Sequence, residues 1–110
     1  MSLDIGLTYN GELMWEGNIT HNLGRMSRAA GAYEAVWTPD DPSDGGAPYN
    51  PRQVIDEIVP AINHLLYERH HYEQFNPENG WGDYDTLVRF LVDYALALNK
   101  FPYAEIKVSR

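Results

Sequence analysis

The sequence predicts one α+β domain over residues 1–110. A small three-stranded antiparallel sheet, made of an amino-terminal hairpin and a carboxy-terminal strand, should pack against about three helices. Three observations predict it. Asn10-Gly11 separates two short extended stretches, and this pair suits a two-residue hairpin turn in which both central residues need positive φ. Apolar residues then recur at helical spacing in three later segments. Residues 103–108 return to alternation, with Ala104, Ile106 and Val108 on one side. A lone hairpin is marginal in water, so a third strand covered by helices is the simplest two-layer solution.

In the first stretch Leu3, Ile5 and Leu7 share a face; in the second Leu13, Trp15 and Gly17 do. Thr20 stands at an N-cap position before Leu23, Met26, Ala30, Tyr33 and Trp37, which predicts a first helix from about His21. Gly24, Ser27, Gly31 and Ala35 add small residues that permit close backbone approach. Gly31 either lies within this helix or ends it as a C′ glycine, leaving 33–37 as a separate turn. Residues 38–51 carry four prolines, Gly45, Gly46 and several aspartates without periodicity, and read as an exposed loop. The acidic part of this loop does not place oxygen ligands in calcium-loop register.

Pro51 suits a first helical position, and Val54, Ile55, Ile58, Ile62, Leu65, Leu66 and Tyr72 form one stripe after it. Pro60 lies inside this helix and predicts a kink or break. A turn follows at 76–80. The last helix is expected from about Trp81 or Asp83 to residue 99, with Tyr84, Leu87, Val88, Leu91, Ala95 and Leu98 facing the core.

Composition narrows the function. Sixteen acidic residues against eight Lys and Arg give a formal charge of −8, which disfavours nucleic acid, since a phosphate backbone needs a basic face. There is no cysteine, so disulfides, thiolate metal sites and cysteine nucleophiles are excluded. No apolar run reaches transmembrane length and no signal-peptide pattern opens the chain, so a cytoplasmic protein without a membrane partner is expected. The acceptor triplet Asn18-Ile19-Thr20 has no secretory context and is set aside as a chance match. Phosphate-binding loops, dinucleotide fingerprints, nucleophile elbows and zinc-finger spacings are all missing, and no cofactor is expected.

Four histidines are the candidates for chemistry. On a helix, Glu57, His64, Glu68 and His71 align, but on the side opposite the apolar stripe, while adjacent His70 and His71 diverge; no metal site is expected. His21 lies in Asn18-Ile19-Thr20-His21-Asn22, where a strand hands over to a helix. Such a place can recognise a ligand, or these residues can simply cap and satisfy local backbone groups. Trp81, flanked by Gly80 and Gly82 and followed by Asp83 and Tyr84, is the second candidate region, with the indole expected as a lid on the core. If the two regions meet, Asn18, His21, Asn22, Trp81 and Tyr84 are the expected binding residues.

With these segments in view, the chain resembles a family of small uncharacterised bacteriophage and prophage proteins. The resemblance rests on residues 18–23, 30–37, 76–84 and 108–110, with an expanded loop at 38–51 as the departure. It implies a phage or prophage origin and a bacterial host cytoplasm, and transfers no activity. The expected function is a non-enzymatic binding protein acting on a host protein or a small ligand. The alternatives are a small hydrolase or transferase using His21 with Asp83 or Asp85, and an assembly subunit that forms a homo-oligomer.

Overall fold

Asn10 and Gly11 take φ of 52° and 79°, the paired left-handed values that fold β1 (Ser2–Tyr9) directly back on β2 (Glu12–Thr20). The computed structural model describes every residue from Met1 to Arg110. After β2 come a 3₁₀ turn (His21–Leu23), α1 (Gly24–Ala30), α2 (Tyr33–Trp37), α3 (Pro51–Tyr67), α4 (Arg69–Glu73), α5 (Tyr84–Lys100) and β3 (Glu105–Ser109). β3 pairs antiparallel with β1, giving the sheet order β2-β1-β3. The α+β architecture is therefore the one the sequence predicts. No helix is long and apolar enough to cross a membrane.

Leu3, Ile5 and Leu7 of the central strand are buried against the helices. On β2 the register shifts: Leu7 faces Trp15 but Thr8 faces Leu13, leaving Met14 as the extra residue of a bulge. One inserted residue reverses the facing of everything beyond it. Leu13 therefore turns to the outer face, where it is exposed and its Cδ1 sits 3.2 Å from where a Cβ on Gly6 would be. The expected inner set of Leu13, Trp15 and Gly17 is corrected to Trp15, Gly17 and Ile19. Gly17 has a steric role, since a Cβ there would lie 2.5 Å from Cη2 of Trp15. The open space lets the indole lie flat on Tyr94, centroids 5.5 Å apart and planes within 8°.

Gly31 is left-handed (φ 89°) and caps α1, so the C′ reading holds and residues 33–37 form their own short helix. In α3 the Asn50 and Gln53 side chains each bond the other's backbone N–H, completing a capping box around Pro51. The helix is not broken at Pro60. Pro60 and Asp56 are both exposed, so the carbonyl that loses its partner faces water, while Ile58, Ala61 and Leu65 hold the opposite face in the core. The interruption falls at Glu68, where φ and ψ leave the helical region. Leu66, expected in the stripe, is exposed, and Ala61 is buried in that row.

α5 begins at Tyr84, with the Asp83 side chain accepting from the Thr86 N–H at 2.9 Å. Trp81 precedes the helix because Gly80 and Gly82 take φ of 76° and 88°, which no helix accommodates. Its buried row is Tyr84, Leu87, Phe90, Leu91, Tyr94, Ala97 and Leu98. Expected members Val88 and Ala95 are only partly buried, flanking that row.

Tyr94 is fully buried and its hydroxyl finds no protein partner, while burial pushes its pKa upward. A buried hydroxyl without a partner carries its full desolvation penalty. Tyr94→Phe should therefore raise the stability by about 1 kcal/mol, read as a higher urea midpoint at unchanged slope. A fall in the midpoint would show that the hydroxyl is bonded after all.

The end of β3 is tied to the helices by Arg110, whose guanidinium donates to the Trp37 carbonyl at 2.9 Å and to both Asp40 oxygens at 2.8 and 3.2 Å. This fork holds the Asp40 carboxyl below the usual carboxylate range. Because the folded pKa is depressed, the contribution is complete above the unfolded value of 3.8 and is lost as pH falls through the folded one. The stability gap between wild type and Asp40→Asn should close across that acid window; a gap constant to the most acidic point would exclude the ion pair as its source.

Candidate functional site

The strand-to-helix handover and the glycine-flanked turn do meet. A Cβ on Gly82 would lie 2.8 Å from Cγ2 of Thr20 and 2.9 Å from Cδ1 of Leu23, so the turn is pressed onto the handover with no room to spare. Between them opens a depression of about 420 Å³ whose lining includes Ser2, Asn18, Thr20, Asn22, Asn79 and Trp81. Three of the five expected residues, Asn18, Asn22 and Trp81, are on its walls.

Polar side chains shape the depression. Asn18 Nδ2 donates to Ser2 Oγ at 2.9 Å and to Asp4 Oδ1 at 2.6 Å, bracing the edges of β1 and β2. Thr20 Oγ1 accepts from the Asn22 backbone N–H at 3.3 Å and from Asn22 Nδ2 at 3.2 Å. Asn79 Oδ1 accepts from the Trp81 N–H at 3.0 Å, fixing the turn that carries the indole. That indole is not the core lid expected of it: Trp81 is 69% exposed. Its place in the chain explains this, since two left-handed glycines turn the backbone outward just before α5.

His21 and Tyr84 are committed elsewhere. His21 Nδ1 accepts from Nε1–H of Trp37 at 2.9 Å, and it does not line the depression. Tyr84 is buried and its hydroxyl donates to the Leu65 carbonyl at 2.7 Å, locking α5 to α3. No hydrogen bond links His21 to Asp83 or Asp85. Asp83 caps α5, its carboxyl held low by the Thr86 backbone N–H and hydroxyl, and Asp85 pairs with Arg69 at 3.3 Å. His21, Asp83 and Asp85 are thus each engaged in a separate contact. His64, Glu68 and His71, expected in line on one helix, are exposed and divided by the interruption at Glu68, and no group of three or more potential metal ligands gathers anywhere in the chain.

A second surface escaped the sequence reading. At the other end of β2, Met14, Trp15, Asp93, Leu96, Ala97, Lys100 and Phe101 line a hollow of about 310 Å³. Met14 and Phe101 continue into a smaller one of about 140 Å³ with Tyr9, Pro102 and Tyr103. The two form one apolar face whose members include Tyr9, Leu96 and Tyr103, exposed by 52%, 64% and 85%. Two signals could have found it: Val92 and Leu96 make an i, i+4 apolar pair off the core row of α5, and Phe101-Pro102-Tyr103 places aromatics just beyond its end. Both edges of the sheet are open, and β2 is the longer.

No family model matches the chain, and no curated protein or solved structure matches it.

Proposed function

We propose that this protein is a non-enzymatic binding protein that engages another protein through the apolar face at the hairpin end of β2 and the end of α5. The observation that carries this reading is the contiguous exposure of Tyr9, Met14, Leu96 and Tyr103 around two shallow hollows. Scattered apolar residues are ordinary on a surface, but a joined aromatic and aliphatic patch marks an interface. Aromatics and Met are the side chains that dominate protein contacts, and Asp93 and Lys100 beside them give the patch a polar rim. The dispersal of His21, Asp83 and Asp85 into structural roles favours binding over catalysis. The resemblance to phage and prophage proteins makes a protein of the bacterial host cytoplasm the natural partner.

The test is capture from bacterial lysate with wild type and with Leu96→Asp and Tyr103→Ser. Wild type should retain a stoichiometric partner that both variants lose, with an affinity drop of roughly 30-fold for a central contact and melting temperatures unchanged. Equal capture by all three would refute the assignment of this face. If instead purified wild type self-associates and Leu96→Asp abolishes that, the partner is a second copy and the assembly-subunit reading takes over.

A further inference from the structure

At the opposite end of β2 from the apolar face, the Trp81 depression has a different chemistry. We infer that it is a binding site for a neutral saccharide, with the Trp81 indole as the stacking platform and the surrounding amides as hydroxyl readers. Its walls carry no Lys, Arg, Asp or Glu side chain; Met1 also lines them, but its ammonium is a single cation without the arginine fork that holds a phosphate, and no wall carboxylate meets a cationic ligand. An apolar ligand would leave the amides of Asn18, Asn22 and Asn79 desolvated without partners. A sugar meets both conditions, because one face of its ring is C–H and its edges are hydroxyls that both donate and accept.

The groups left over after internal bonding fit this. Asn79 uses only Oδ1, on the Trp81 N–H, and keeps both Nδ2 hydrogens. Asn22 spends one Nδ2 hydrogen on Thr20 and keeps the other together with Oδ1. Asn18 spends its Nδ2 on Ser2 and Asp4 and keeps Oδ1. Trp81 Nε1–H makes no bond within the chain. Free donors and free acceptors thus border one exposed indole, the mixture a hydroxylated ligand needs and a purely accepting or donating ligand cannot use. The volume of about 420 Å³ falls within the range of small-molecule sites, ~300–1,000 Å³. The turn that carries the indole is also preorganised, since the Asn79 bond and the tight seat of Gly82 fix its backbone before a ligand arrives.

The test is saturation-transfer NMR with glucose, galactose, mannose, N-acetylglucosamine and rhamnose, alongside glucuronate and inorganic phosphate. At least one neutral sugar should bind, with transfer strongest to its ring C–H positions. Trp81→Ala should weaken it by roughly tenfold, and Trp81→Phe by less. Asn22→Ala, which leaves the turn untouched, should weaken the same sugar. Leu96→Asp should leave sugar binding unchanged, so failure of the protein-binding face and failure of this site are separable. The inference is overturned if no neutral sugar binds, if glucuronate or phosphate binds more tightly than every neutral sugar, or if Trp81→Ala binds as wild type does.

Discussion

Gly82→Ala should destabilise the protein by about 2–5 kcal/mol, the sum of two costs that arise at the same atom. The residue sits at φ 88°, where a side chain costs ~1–2 kcal/mol relative to glycine. The added methyl would also lie 2.8 Å from Thr20 Cγ2 and 2.9 and 3.1 Å from Leu23 Cδ1 and Cγ. Leu23 is fully buried, so it cannot swing aside, and forcing extra volume into a packed site costs ~1–3 kcal/mol. Gly80 supplies the control. It has a similar φ of 76° but nothing within 4 Å of its Cβ position, so Gly80→Ala should show the backbone cost alone. Urea unfolding of both variants separates the terms at constant slope. If Gly82→Ala costs no more than Gly80→Ala, the close seat of the turn on the handover is wrong, and with it the rigidity of the turn that carries Trp81.

Local backbone signals were legible in the sequence because each is decided within a few residues. Asn10-Gly11 dictates the hairpin, Gly31 offers the end of α1 as one of two readings, and Gly80 and Gly82 announce unusual angles around Trp81. Alternation after Pro102 reveals β3, and a three-stranded sheet follows from the need to support the hairpin, but the pairing of β3 with β1 rather than β2 is a long-range choice that no local signal makes. What escaped depends on residues distant in sequence. The bulge at Met14 has no local signature in Glu12–Trp15, yet it decides that Leu13 leaves the core and helps expose Met14. Phe90 and Tyr94 are buried because Gly17 opens a space for Trp15 on the facing strand, a three-body arrangement that a helical period cannot contain. Trp81 is expected to cover the core because aromatics are buried on average, but the turn geometry overrides that preference and exposes it. The Arg110 fork joins positions seventy residues apart, and neither Asp40 nor Arg110 is unusual in its own neighbourhood.

His21→Ala should cost about 1–3 kcal/mol, far more than a first-turn surface residue would. The reason lies in Trp37, which is 2% exposed and whose Nε1–H has Nδ1 of His21 as its acceptor, at 2.9 Å. That bond uses Nδ1 of His21 as the acceptor, which places the ring proton on Nε2. Truncation to alanine would leave a buried indole N–H unpaired, and an orphaned donor is penalised more heavily than an ordinary lost hydrogen bond. Trp37 also stacks on Tyr33 at 5.3 Å with planes within 4°, so the indole cannot easily rotate to find another acceptor. A double-mutant cycle with Trp37→Phe isolates the pair, because phenylalanine keeps most of the ring and removes the donor. In that background His21→Ala should be milder by at least about 1 kcal/mol. Strict additivity would mean that the bond contributes nothing and that His21 is free for another role. With coupling, His21 joins the handover to α2 while Asn18, Asn22 and Trp81 line the depression, and sugar binding by His21→Ala should match wild type at temperatures where both are folded.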